Sequence, residues 1–578
     1  MSLDDAILRL QAAQGDPDRM VLATAEIVLK GQNDPQLVPV FEAAAVPRWF
    51  DAAILAALLD TDETTSAEWV TRLKALPMVE SFAARNGWNV HEATRLAMRR
   101  HLAQSQPARL RELSARAAAC FPAQDPVTRV ERIYHRLLAA PELGAVELLA
   151  LWHEWYRAGR HEALQALGVA LDDLLRASVL AGSAHARALV SLGWIRSGRL
   201  PLRQAAAMAR EAITLFDAAA DPQGQIDARD QLGDVLQRSG DSAEALGAYR
   251  EFHDIASRLV RDAPDNTDWQ RELSVAHNKV GGVHQAQGQL VAALAEYQAY
   301  QRIMQTLVAR EPDNTEWQRD LAVSHYCVGG VYEAQGRLAE ALAEYQAGQD
   351  ILQTLVARDP DNTDWQRDLA VSHNKVGGVY QAQGQLAEAL AEYQAGQGIM
   401  RTLVARDPDN TGWQRDLAVS HNCAGGVYEA QGRLVEALAE YREFQRIMQT
   451  LAARDPDNTD WQRDLAVSHN CAGGVYQAQG RLGEALAENQ AGQGIMQALA
   501  ARDPDNTDWQ HDLALSHSWV GSVYQARGQL VEALADYQAG QGIMQTLVAR
   551  DPSNAQWQDG LAVARQSVDD LRSQVPGV

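Results

Sequence analysis

The chain has 578 residues, with 52 Lys and Arg against 75 Asp and Glu, for a formal net charge of −23. That balance argues against a general nucleic-acid or membrane-surface binder, and no apolar run approaches the ~18 residues of a membrane span. Only four lysines occur and none follows a glycine, which excludes a Gly-Lys-Ser/Thr phosphate loop.

The opening MSLDDAILRL lacks a signal-peptide pattern, so a cytoplasmic location is expected. Residues 1–47 read as a helical segment with breaks at Pro39 and Pro47. Phe50–Leu59 and Ser66–Leu76 read as helices. Met78–Phe82 and Trp88–Val90 read as two short strands about an Arg85-Asn86-Gly87 turn, and His91–His101 returns to helix. Residues 106–184 continue as helices, and irregular helix pairs begin near His185 and fill 185–264.

From 265 to 552 the chain repeats itself. Trp269, Trp317, Trp365, Trp413, Trp461, Trp509 and Trp557 stand 48 residues apart, as do His277, His325, His373, His421, His469 and His517. A fixed period of this size means a stacked array of six near-identical units. Residues 553–578 begin one more first helix and turn polar, which suits a solubilising cap.

One unit, 361–408, shows how each folds. Thr363 followed by Gln366 predicts a capping box and a helix starting near Asp364. Trp365, Leu369, Val376 and Tyr380, with His373 on the same side, recur at helical spacing. Gly384 ends the first helix, and a second, with Leu386, Ala389, Leu390, Tyr393 and Ile399 inward, runs to about Ala405. One hairpin cannot bury both faces alone, so each must stack on its neighbours.

The pattern G-x-x-Y-x-x-x-G-x-x-x-x-A-x-x-x-Y, carried by Gly377, Tyr380, Gly384, Ala389 and Tyr393, resembles the tetratricopeptide (TPR) repeat, although the unit is 48 residues rather than the family's 34. The segments PRWFDAAILAALLD, WVTRLKALPMVESF and WNVHEATRLAMRRHL resemble the winged helix of STAND signalling ATPases, and RVERIYHRLLAA resembles the helical arm after it; the nucleotide-binding module is missing. The resemblance implies an all-α fold: a right-handed TPR-like α-solenoid (185–264 irregular, 265–552 regular, 553–578 cap) behind a small winged-helix-like domain with a short β-wing (48–105) and an arm (106–184).

The resemblance also implies a groove lined by the first helix of each unit. The residues expected to touch a partner there are Asn278, Tyr326, Asn374, Asn422, Asn470 and Trp519, with Gln285, Glu333, Gln381, Glu429, Gln477 and Gln525. Tyr326 and Trp519 break the repeat and are the expected anchors, because aromatic side chains dominate interface energies. The histidine and tryptophan ladders read as packing residues, with acid-sensitive loosening of the histidines as the lesser alternative. Cys327, Cys423 and Cys471 occupy equivalent positions in different units, too far apart to pair or share a metal. The repeats supply like groups rather than the converging unlike groups of a catalytic site, so no enzyme, cofactor or metal is expected.

Function is therefore expected to be that of a non-catalytic scaffold that holds a protein or peptide, such as a caspase-like protease or another effector of a bacterial signalling or defence system. The alternative is a winged-helix DNA-binding regulator using the basic stretch 91–136, with Arg95, Arg99, Arg100, Arg109 and Arg111 as a nucleic-acid or docking patch.

Overall fold

The computed structural model describes residues 3–158, 160–197 and 199–572. Residues 1, 2 and 573–578, the outer ends of the predicted N-terminal segment and C-terminal cap, lie outside the described residues. The chain forms two compact units: Met1–Arg196 with Glu211–Gly224, and Ser197–Arg210 with Gln225–Val578.

The first unit carries α1 (Leu3–Ala12), α2 (Pro17–Gly31), α3 (Leu37–Ala44), α4 (Ala52–Leu59) and α5 (Glu63–Leu73). Strands β1 (Val79–Phe82) and β2 (Gly87–Val90) follow, then α6 (Glu92–Ser105), α7 (Pro107–Cys120), α8 (Pro126–Ala139), α9 (Pro141–Arg157), α10 (His161–Ala177) and α11 (Gly182–Ile195). Aspartates start several of these helices. Asp16, Asp51, Asp62 and Asp125 each accept a backbone N–H two or three residues on, satisfying donors the first turn leaves open. The strands pair antiparallel with Val79 opposite Val90 and Phe82 opposite Gly87. A 3-10 turn over Ala83–Arg85 joins them, where the sequence predicted only a tight turn. Phe50 exchanges backbone hydrogen bonds with Trp88 at 2.7 and 2.8 Å, and a Cβ on Gly87 would come 2.8 Å from the Phe50 carbonyl, so that position must be glycine. Phe41, Phe50, Leu55, Leu58, Leu73, Val90 and Leu102 meet in one core from both sides of this hairpin.

In the second unit, α12 (Leu202–Ala219), α13 (Pro222–Arg238) and α14 (Ser242–Asp262) lead into the array, α12 and α13 each beginning or ending in the first unit. Each repeat then has a 20-residue helix A and a 21-residue helix B, for example Thr363–Ala382 and Leu386–Arg406, and Ala555–Arg572 is one more helix A. The cap of helix A is Asn362, not Thr363: its side chain accepts from the N–H of Asp364 and Trp365. Gln366 does reach back, but to the carbonyl of Pro360. Gly384 has φ +74, the left-handed turn that ends helix A.

The cores straddle the repeats. Met400 and Leu403 of one helix B pack with Trp413 and Leu417 of the next helix A, and Ala389 and Tyr393 pack with Ala424 and Val427. Trp317, Trp413, Trp461, Trp509 and Trp557 are buried, while Trp269 and Trp365 are partly so. Arg271 binds Asp320 at 2.6 Å and Arg415 binds Asp464 at 2.5 Å, each 49 residues on; Arg319–Asp368, Arg367–Asp416 and Arg463–Asp512 repeat the pairing. The array thus depends on neighbours for both its apolar and its charged contacts.

The unit also meets itself across a full turn. Arg199 pairs with Asp455, Arg203 binds Asp505 at 2.7 Å, and the Leu202 N–H donates to Asp503 at 3.0 Å. Thr507 donates to the Arg238 carbonyl at 2.8 Å.

Candidate functional site

Helix A presents one stripe to solvent. Val323, Val371, Val419 and Val467 are 37–39% exposed, Leu515 is 44% and Val563 is 68%, one aliphatic side chain at the same position of each helix A after the first, where Val275 is half-buried. Four residues further along helix A, on the same face, stand Lys279, Cys327, Lys375, Cys423, Cys471 and Trp519. Beyond these come Gly330, Gly378, Gly426 and Gly474, and then the Gln/Glu series. The stripe is therefore an apolar ladder with a rim of polar groups.

The expected contact residues divide on this face. Gln285, Gln381 and Gln525 accept the hydroxyls of Tyr297, Tyr393 and Tyr537 at 3.1–3.2 Å, and Glu333 and Glu429 accept those of Tyr345 and Tyr441 at 2.8 and 3.0 Å. These groups hold helix A to helix B as well as edging the stripe. Asn278 and Asn422 accept from the thiols of Cys327 and Cys471 at 3.3 Å, a bond between neighbouring repeats. Asn374 and Asn470 turn buried Oδ1 atoms without partners toward helix B, close to Gly396 and Gly492.

Tyr326 is not on the face. Its ring lies in two core clusters, and a Cβ on Gly348 would strike it at 2.7 Å. The glycine in helix B makes room for a ring that turns inward. Trp519, at 43% exposure, does present its ring.

The reason for Trp519 is a second departure from the repeat that the sequence reading missed. Helix B carries Tyr297, Tyr345, Tyr393, Tyr441 and Tyr537 at one position, but Asn489 in the fifth unit. In the first four repeats a Cβ on the second glycine would lie 3.5–3.7 Å from the tyrosine hydroxyl; on Gly474 it would lie 3.7 Å from Cζ3 of Trp519. The indole edge fills the space of the missing hydroxyl. Asn489 is fully buried, donates to the Trp519 carbonyl at 3.3 Å, and leaves Oδ1 without a partner. Comparing the six copies column by column could have found this pair.

The histidines form a continuous polar ladder away from the exposed stripe. His373 Nδ1 lies 2.6 Å from Glu392, as do His277, His325, His421 and His469 from their own glutamates, and His517 lies 2.8 Å from Asp536. An Nδ1 facing a carboxylate carries the proton, so Gln349 of the preceding repeat donates to Glu392, at 3.3 Å, rather than to the ring. Burial pushes the thiols of Cys327 and Cys471 up to about 12 and that of Cys423 to about 11, which keeps them protonated and unreactive.

The arginines expected to form a patch are largely consumed inside the first unit. Arg95 and Arg99 both bind Asp173 at 2.7 Å, Arg99 is 0% exposed, and Tyr134 donates to the same carboxylate at 2.6 Å. Burial pushes Asp173 up, but the two arginines outweigh it and hold the carboxyl at about 2. Arg100 pairs with Asp18 and donates to the Ala177 carbonyl, and Arg109 lies 3.6 Å from Glu42. Desolvated and paired guanidinium groups have little charge to offer phosphates, and of the five only Arg111 is exposed.

Stacked two-helix units, with a glycine of helix A under a tyrosine of helix B, define a TPR-like α-solenoid, and that is the class of the second unit. No family profile matches the chain, and no curated protein matches it. Among solved structures it is similar to BtubC from P. vanneervenii, at 18% identity over 45% of this chain and 92% of that one, with TM-score 0.36. It is similar to a STAND protein with a tetratricopeptide repeat sensor from Pyrococcus horikoshii, at 13% identity over 85% of this chain and 67% of that one, with TM-score 0.41. A thermophilic TPR protein from Thermus thermophilus shares 18% identity over 42% of this chain and 99% of that one, with TM-score 0.25.

Proposed function

We propose that the chain is a non-catalytic scaffold whose array holds an extended segment of a partner protein along the exposed stripe of helix A. The observation that supports this is the apolar ladder from Val323 to Leu515, left open at one position of helix A in the second to sixth repeats. Leu515 and Trp519, four residues apart on one helix face, give the anchor, and the Gln and Glu residues give polar partners for the segment's backbone. On the sequence resemblance alone, the partner is a signalling effector such as a caspase-like protease, and the first unit regulates or anchors. The test is capture of a partner by the full chain, its identification, and rebinding with both proteins purified. Leu515→Ala/Trp519→Ala should weaken rebinding at least about tenfold with unchanged folding. Equal affinity for both forms would remove the helix A stripe as the binding face.

A further inference from the structure

The second unit buries part of its own edge, and the same edge is left open elsewhere. The nine residues 358–366 and 502–510 are identical in sequence. In the later copy Asp503 is 8% exposed and Asn506 and Thr507 are 1%; the Leu202 N–H reaches Asp503, and the turn at Arg238–Asp241 lies on Thr507. In the earlier copy Asp359 is exposed and Asn362 and Thr363 are half-buried. The same connector sequence between helix B and the next helix A is thus covered at one place in the array and open at another.

The covering edge is the turn between helices A and B. A Cβ on Gly240 would come 2.9 Å from both Thr507 and Trp557, and one on Gly288 would come 2.9 Å from Ala555. At Gly336, Gly384, Gly432, Gly480 and Gly528 nothing lies within 4 Å. Charge follows the same division. The sequence Gly-Arg-Leu at 198–200 supplies Arg199, which pairs with the connector residue Asp455 and is 22% exposed. The same tripeptide recurs at 336–338, 432–434 and 480–482, where Arg337, Arg433 and Arg481 are 45–46% exposed. Each has a neighbouring glutamate three residues on, an exposed pair of the kind that contributes little. On the opposite edge Glu311 and Asp359 hold the position of Asp455 in the earlier units and are exposed, whereas at the next connector Asp407 is half-buried and Asn410 and Thr411 are buried.

We propose that these two open edges bind each other between copies of this chain. The turns of one molecule that its own seam leaves open, with Arg337, Arg433 and Arg481, receive the open connectors of another's first repeats, with Glu311 and Asp359. The seam that already joins successive turns within the molecule is the template for the contact. Two different edges meet, so the contact is heterologous, and copies add in the same direction rather than closing as a twofold pair. The inference does not depend on the helix A stripe, which lies on another face of the repeat.

Sedimentation of the full chain between about 1 and 100 µM, in about 50 mM and about 500 mM salt, tests it. Association should grow with concentration and weaken at least about tenfold in high salt, since exposed pairs are screened. Arg337→Glu/Arg433→Glu/Arg481→Glu should weaken it at least about tenfold without altering the melting curve, because Arg199 and Arg203 of the internal seam are untouched. Mixing that variant with Glu311→Arg/Asp359→Arg should restore association. A chain that stays monomeric at the highest concentration in low salt, or that associates equally well after the triple reversal, overturns the proposal.

Discussion

The ring of Tyr393 rests on Gly377, so closely that a Cβ there would come 2.8 Å from its Cε1; the adjacent Gly378 would meet only the hydroxyl, at 3.7 Å. The two glycines look alike in sequence and differ in what they permit.

Both should gain up to about 1 kcal/mol of helix propensity on changing to alanine. At Gly377 the added methyl must push the ring or helix B aside, and overpacking of this kind costs about 1–3 kcal/mol. Gly377→Ala should therefore lower the stability of the array, and Gly378→Ala should raise it, when both are compared by thermal unfolding. A stabilised Gly377→Ala would mean that the ring moves freely and does not set the spacing of the helices.

Removing the Asp173 carboxylate leaves Arg95 and Arg99 buried without their counter-charge. Loss of one member of such a cluster costs about 3–5 kcal/mol. Asp173→Ala should accelerate hydrogen exchange across α6, α8 and α10, while exchange in the repeats from Thr315 to Arg502 stays as it was. If α6 and α10 keep their protection, the cluster is not what ties them together.

The histidine ladder sets the response to acid. Hydrogen bonding from His325 holds Glu344 below the usual carboxylate range. Burial pushes Glu440 and Glu488 up, but hydrogen bonds from His421 and His469, and from Gln397 and Gln445, outweigh it. These carboxylates bind protons more weakly folded than unfolded, so their contribution is complete above about pH 4.3 and drains as the pH falls through their folded values. Burial holds His277 down and holds His135, in the first unit, down to about 3, so the unfolded chain takes up both protons first and stability is lost below about pH 6.5. Melting temperature should be flat from about pH 7 to 8, decline below about 6.5, and fall steeply below about 4.3. His277→Gln should reduce the decline and leave the part due to His135; a decline unchanged by it has another source.

Asn489 and Trp519 should behave as one unit in mutation. Asn489→Tyr alone sets a phenol against the indole and should destabilise the fifth repeat. Asn489→Tyr with Trp519→Cys rebuilds the arrangement of the fourth repeat and should recover the loss. The double-mutant cycle should give a coupling of about 0.5–3 kcal/mol in chemical unfolding. Additive effects would show that the two positions changed independently.

The repeat was legible because period and spacing are local facts. The 48-residue step gave the array, and Gly384 and Leu386 gave the helix boundaries to within a residue or two. The cap was misplaced because Asn362 and Thr363 are both good N-cap residues and only the backbone decides between them. Tyr326 was misplaced because a position on the helix wheel does not say which way a large ring turns; Gly348, on the partner helix, settles that. The Arg95 and Arg99 pairing depends on Asp173, more than 70 residues away, and no local pattern announces it. The seam between turns depends on the pitch of the whole array, which is a sum of small rotations that no single repeat encodes.

Every arginine of the ladder from Arg271 to Arg463 finds its aspartate 49 residues ahead, in a neighbour of nearly the same sequence. Arg367 would be served equally by Asp464 if the intervening block were excised. Recombination between copies can thus lengthen or shorten the rod by whole units without leaving a mismatched joint. The contacts that would register such a change are those one turn away, so copy number is limited by the winding of the coil and not by its links.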